Sequence, residues 1–272
     1  MDFNDAKNKS VDVSVVIPCY CCADTIRRAV TSIYEQTYRP SEVVLVNDCS
    51  PDRTLQKLYE LQDEFSDEWI KVVSTPVNSG PSKARNIGWE VSSRSYLAFL
   101  DADDSWHPLK IEKQFFWMSD HTDVSLTGHV SVLSGSADKD PSLDDVLFRP
   151  LSKRELLFSN KFSTSSVMVK TQLPFRFNEF RSYSEDFELW CDIAFANNKC
   201  FVMGEGLTFV HKGHFGKSGL SSNLWRMEKG ELSAFRKLWV HSHIDMVTYI
   251  VCVSWSISKY IRRCIKTYLV GN

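Results

Sequence analysis

The sequence predicts an α/β fold: a mostly parallel central sheet with helices on both faces. Short β-branched runs alternate with amphipathic segments from residue 13 to residue 100. That β-α-β-α order closes as a parallel sheet with crossover helices. The runs end in polar, chemistry-bearing residues, and ligands in an open α/β sheet bind beyond the carboxyl ends of the strands.

Composition sets the frame. The chain has 272 residues, 43% of them hydrophobic and 24% charged, which suits one large domain or a domain with an appendage. A net charge of −2 argues against wholesale nucleic-acid binding. Residues 1–10 are polar, so no secretion signal is read and a cytoplasmic location is expected. No run is long and apolar enough to span a bilayer. The eight cysteines are then expected to be reduced. Cys19 and Cys22 form a CxxC with no second pair, which reads as small side chains at a strand end.

Residues 13–18 (VSVVIP) read as the first strand, stopped by Pro18. Asp24 is a candidate N-cap for a helix through Ile26, Val30 and Ile33. Residues 42–47 (EVVLVN) form the next strand, and Leu55, Leu58, Leu61 and Phe65 mark a second helix. A third strand spans 70–74. Ser82 is a candidate cap for a helix carrying Ala84, Ile87 and Val91. No GxGxxG follows the first strand, which counts against a dinucleotide enzyme.

Residues 96–106 (YLAFLDADDSW) organise the rest. An apolar strand breaks into Asp101, Asp103 and Asp104. Clustered carboxylates repel one another, and a hard divalent cation is their natural partner. A metal and a phosphate-bearing ligand would meet here. A plain acidic turn capping the next helix is the alternative.

Pro108 then opens a helix to about Ser119, with Phe115, Phe116 and Met118 as core. Residues 124–133 read as a strand. Residues 134–145 are a Ser/Asp/Gly-rich loop, either acceptor-side or a surface excursion. Ser152 and Glu155 form a capping box, and 165–170 is a strand. Ser184 is a candidate N-cap that places Glu185 and Asp186 in a first turn, where acids also suit the helix dipole. Residues 200–203 and 207–211 read as two short strands. The loop 211–223 (HKGHFGKSGLSSN) fails as a P-loop, yet its backbone N–H groups with Lys212 and Lys217 could close over a phosphate. A plain mobile loop is the rival. A charged helix spans 223–238. The tail 244–270 is apolar and aromatic, with Lys259, Arg262, Arg263 and Lys266. It is read either as an amphipathic helix in the headgroup layer or as a packed helix with a solvated basic face.

Four ordered stretches resemble a family 2 glycosyltransferase of the GT-A fold, across about residues 11–220. They are VSVVIPCYCCADTIRRAVTSIYEQTY, EVVLVNDCSPDRT, NSGPSKARNIGW with YLAFLDADDSW, and SEDFELW. The resemblance implies an inverting, metal-dependent hexosyltransferase that uses a nucleotide sugar, expected to be a UDP-sugar. It implies a catalytic domain over 1–222, with a nucleotide-sugar half at about 11–105 and an acceptor and base half at about 106–222. Residues 223–272 follow as a helical segment.

The resemblance also implies roles. Asp48 would accept the uracil imide N–H, preceded by Asn47 where a second Asp is common. Pro18 and Tyr20 would wall the base pocket, and Lys83 and Arg85 would stand near the base or diphosphate. Asp101 would meet the ribose or a metal-bound water, with Ala102 beside it. Asp103 would hold Mn²⁺ or Mg²⁺, joined by His214; sequence does not separate His214 from His211. Lys217 and Ser218 would touch the phosphates. Asp186 would be the base, and Glu185 would orient it or the acceptor. Asp104 receives no role. Trp190 is read as a sugar platform or as core. Cys21 replaces the Asn often found at that point.

A nucleotidylyltransferase would want a Gly-rich basic signature where PCYCCAD stands. A silent sugar-nucleotide-binding scaffold has no need of Asp48, Asp101, Asp103 and Asp186 together. The expected acceptor is a saccharide on a lipid carrier in bacterial O-antigen, lipopolysaccharide or capsule synthesis. The enzyme would then work at the inner face of the cytoplasmic membrane, touching it peripherally through its tail.

Overall fold

The structure, a computed structural model, describes residues 9–135, 147–181, 183–211 and 223–270. Strand β1 (Ser10–Cys19) pairs parallel with β2 (Arg39–Asn47) on one side and β4 (Tyr96–Phe99) on the other. β3 (Ile70–Ser74) lies parallel beyond β2. Past β4 the sheet becomes mixed. β8 (Met168–Lys170) runs antiparallel to β4 and to β6 (Val124–Leu133). β9 (Lys199–Val210) runs parallel to β6. Two three-residue strands, β5 (Asp104–Trp106) and β7 (Phe148–Pro150), pair antiparallel with β9. The order is β3-β2-β1-β4-β8-β6-β9-β5, with β7 also on β9.

Successive side chains of a strand face opposite sides, so a β-branched run buried on both faces feeds two cores. Val13, Val15, Ile17, Val43 and Leu45 face one core, with α1 (Ile26–Tyr34), α2 (Thr54–Phe65) and α4 (Lys110–Asp120). Val16, Val44, Val46, Leu97 and Phe99 face the other. That side carries α3 (Pro81–Val91), α5 (Lys153–Phe158), α6 (Glu185–Phe195), α7 (Leu224–Val240) and α8 (Met246–Val270). A Cβ on Gly88 of α3 would come within 2.3 Å of a Val16 methyl carbon, so this glycine lets α3 lie directly on β1.

Several local expectations change. Asp24 does not cap α1; the N–H groups of Thr25 and Ile26 donate to the Cys22 carbonyl instead. Ser82 does not cap α3. The helix starts on Pro81 after Gly80 (φ 87°), and the Ser82 hydroxyl donates to the Arg181 carbonyl. Pro108 precedes α4 and accepts the Thr37 N–H. Phe116 is exposed, whereas Met118 is core. The two short strands expected near residues 200 and 210 are one strand, β9. The Ser152–Glu155 capping box is present in both directions. Cys19 and Cys22 are buried free thiols.

Strand order reverses at β1, which has β2 on one side and β4 on the other. A crevice at such a switch point lies beyond the strand ends. Register brings those ends level: Cys19 pairs with Asn47, and Asn47 with Ser74.

Candidate active site

A cleft of about 770 Å³ opens over the switch point. The β1 end supplies Pro18, Tyr20, Cys21 and Cys22 to its wall. Cys21 sits at φ 49°, a conformation that Asn or Gly takes with less strain. The β2 end supplies Asp48, which is buried. Its carboxylate accepts the N–H of Ser79 at 2.9 Å, the N–H of Gly80 at 2.7 Å and the Thr75 hydroxyl at 2.9 Å. Asp48 thus ties down the turn that leads into α3. Asn47 turns inward and accepts the Ser50 N–H.

The acidic turn after β4 divides into separate tasks. Asp101 and Asp103 line the cleft, with Ala102 between them. Asp104 is buried and accepts the Ser165 hydroxyl at 2.7 Å. That same Ser165 oxygen accepts the Asp101 N–H at 3.1 Å. The Ser165 carbonyl accepts the Trp106 indole N–H at 2.7 Å and the Thr208 hydroxyl at 3.0 Å. One buried serine therefore joins both ends of the turn to β9.

The base half comes from α6. Ser184 precedes it at φ 54°, and its hydroxyl donates to the Met227 carbonyl rather than capping the helix. Glu185 and Asp186 occupy the first turn, as expected, and both line the cleft. Arg85, buried on α3, joins the two halves. Its Nη2 donates to Asp101 Oδ1 at 2.8 Å and its Nη1 to Glu185 Oε1 at 3.1 Å. Asp186 is half-buried. Its Oδ1 accepts the Phe187 N–H at 2.7 Å and its Oδ2 the Asn160 amide at 3.3 Å. Burial, then the neighbouring charge of Glu185, push its pKa up to about 7. A carboxyl poised near neutrality is suited to take a proton.

Other expected residues fall elsewhere. Lys83 is not part of the cleft wall; it lies exposed on α3, 3.7 Å from Glu179. Trp190 is wholly buried against Phe162 and Phe177, so it is core. Lys217, Ser218 and His214 lie outside the described residues. His211 is described: its Nε2 lies 2.7 Å from the Ser105 hydroxyl. Burial and the Arg28 charge push its pKa down, against the pull of Asp103.

Sequence reasoning missed Thr25, Thr164, Tyr183 and Met227, which also line the cleft. Met227 belongs to α7, so that helix reaches the site. A Cβ on Gly230 would stand 2.3 Å from the Tyr183 carbonyl oxygen, which shows how closely α7 backs the start of α6.

A divalent cation on a diphosphate needs one or two protein carboxylates, because phosphate oxygens and water complete its shell. Asp101 and Asp103 meet that requirement from one wall. Among the described residues, no three His, Cys, Asp or Glu groups form a self-sufficient cage.

This combination of switch-point cleft, paired acids and near-neutral carboxyl has the form of an α/β enzyme site. The comparisons give the class. The family described as Glycosyl transferase family 2 matches residues 14–184, and the chain belongs to that family. The putative teichuronic acid biosynthesis glycosyltransferase TuaG of Bacillus subtilis is 30% identical over 267 residues, covering 94% of this chain and 97% of its own. The Escherichia coli UDP-Glc:alpha-D-GlcNAc-diphosphoundecaprenol beta-1,3-glucosyltransferase WfgD is 27% identical over 79% of this chain and 81% of its own. The fold is GT-A. S. aureus TarS 1-349 in complex with UDP-GlcNAc superposes with a TM-score of 0.68 at 17% identity, over 91% of this chain and 72% of that one.

Proposed function

We propose that this glycosyltransferase inverts the anomeric centre as it moves a hexose from a UDP-sugar to a lipid-linked saccharide in cell-surface polysaccharide synthesis. The observation that carries the proposal is one cleft holding Asp48, Asp101, Asp103 and Asp186. WfgD's name carries a diphosphoundecaprenol-linked acceptor, and TuaG's names teichuronic acid biosynthesis; both support this reading. In this reading residues 1–222 carry the catalytic groups, and Met227 of α7 completes the cleft wall.

The chain's own groups supply the steps. Pro18 and Tyr20 wall the base, and Asp48 fixes the turn beneath it. Asp101 and Asp103 would hold Mn²⁺ or Mg²⁺, which supplies Lewis-acid stabilisation of the leaving diphosphate. Arg85 keeps Asp101 and Glu185 in fixed relation across the cleft. The Asp186 carboxylate takes the acceptor hydroxyl proton as that oxygen bonds to the anomeric carbon. The bond from that carbon to the diphosphate oxygen breaks, with its electron pair leaving on the diphosphate. One base and one displacement invert the centre.

Among the described residues, no helix is long and apolar enough to cross a membrane. The proposed location is the cytoplasmic membrane face, where the lipid-linked acceptor lies. A panel of nucleotide sugars tested by thermal shift, with and without Mn²⁺, tests the donor assignment. A Mn²⁺-dependent rise in Tm with UDP-sugars is expected. Equal shifts with every nucleotide sugar, or none with UDP-sugars, would contradict it.

A further inference from the structure

Helix α8 shows two faces of different chemistry. Its inner face packs on the domain through Cys252, Ser256 and the stems of Lys259 and Arg263. Lys259 pairs with Glu231 at 2.6 Å, and Arg263 with the buried Glu228 at 3.0 Å. Two of the four cations in the tail are thereby neutralised within the protein. The opposite face carries Val247, Ile250, Val251, Ile257, Ile261 and Ile265, each between 40% and 70% exposed. At about 100° per residue all six fall within about 120° of the helix surface, in one stripe that also carries the exposed Ser254 and Ser258, along a helix of 25 residues, about 37 Å long. Arg262 and Lys266 stand exposed at one edge of that stripe. The helix contains no Asp or Glu.

We propose that the outer face of α8 is a docking surface for an anionic lipid bilayer, lying in the plane of the headgroups. Its purpose rests on the lipid-linked acceptor proposed above; its evidence does not. An apolar stripe of this length in open water is costly, and a covering partner removes that cost. Charge decides which partner. A second copy of α8 would add cations and no acid to answer Arg262 and Lys266. Anionic headgroups answer both while acyl chains take the isoleucines. The interior pairs of Lys259 and Arg263 fix the rotation of the helix, so the stripe points away from the domain. Sequence alone left two readings of this tail: a headgroup helix or a packed helix with a solvated basic face. One face packs on the domain, and the solvated face carries the exposed isoleucines with Arg262 and Lys266 at its edge.

The test uses the full chain with vesicles of phosphatidylglycerol and phosphatidylcholine, or of phosphatidylcholine alone, and no sugar substrate. The full chain is expected to co-sediment with the anionic vesicles and to bind them less as salt rises. The combined variant Ile250→Asn, Ile257→Asn, Ile261→Asn should bind roughly tenfold less at unchanged Tm. Arg262→Gln with Lys266→Gln should flatten the salt dependence. Sugar transfer to a short-chain, water-soluble acceptor should be unchanged in both, which separates this proposal from the catalytic one. Full-length protein left in the supernatant at low salt would overturn it. So would unaltered binding by the isoleucine variant, or a concentration-dependent dimer that this variant dissociates.

Discussion

The Arg85 guanidinium donates to Glu185 Oε1 at 3.1 Å, across 100 residues of chain. Its other nitrogen holds Asp101. The nucleotide side and the base side of the cleft are thus joined by one buried cation with a planar fork. Arg85→Lys keeps the charge and loses the fork. The expected result is a lower Tm and a donor KM raised roughly tenfold, since breaking one arm of a buried pair costs on the order of a few kcal/mol. Steady-state kinetics and thermal unfolding check this.

Asp186 and Glu185 set the pH dependence. Asp186 must be ionised to accept a proton, and its pKa stands at about 7. kcat/KM should therefore rise with pH through about 7 and level off above it. Glu185→Gln removes a like charge, so the limb should move to lower pH. Stability runs the other way. The folded state holds this proton more tightly than the unfolded chain does, so stability falls as pH rises from the ordinary Asp value toward 7. Asp186→Asn should raise Tm at pH 8 and change little near pH 4, as scanning calorimetry at the two pH values would show.

Ser165 holds the acidic turn from behind. Ser165→Ala removes the acceptor for the Asp101 N–H and a donor to Asp104. A lost bond to a buried polar group costs about 1–3 kcal/mol. The turn should loosen, and the Mn²⁺ concentration for half-maximal rate should rise roughly tenfold. Ser165→Thr should restore part of the loss. A metal titration at saturating donor checks both.

Asp103→Ala tests the cation more directly. Loss of transfer by roughly 10²–10⁴ is expected if the metal contributes several kcal/mol. Wild-type enzyme in EDTA should fall by a similar factor and recover with added Mn²⁺.

The elements that were legible are those whose signals are local. The strand at Ile70–Ser74 and the capping box at Ser152 need only neighbouring residues to be read. Glu185 and Asp186 were placed correctly because acids after a helix start form a short-range pattern. What escaped depends on distant partners. Three-residue strands such as β5 and β7 exist only because β9 pairs with them. Ser165 carries no motif, and its role comes from contacts 61 and 64 residues away. Met227 reaches the cleft because Gly230 admits α7 against the Tyr183 carbonyl, a contact that no periodicity encodes. Lys83, two residues before Arg85, was expected near the ligand, yet on α3 it faces Glu179 while Arg85 faces Asp101 and Glu185.

The central claim is that Asp186 is the base of a sugar transfer. It is tested most directly by release of nucleoside diphosphate from the donor, with and without a lipid-linked saccharide acceptor, for wild type and Asp186→Asn. Donor affinity is measured on the same preparations. Acceptor-dependent release should fall by roughly 10² or more in the variant while donor binding stays within about twofold. Turnover by Asp186→Asn close to that of wild type, with the fold intact, would contradict the account.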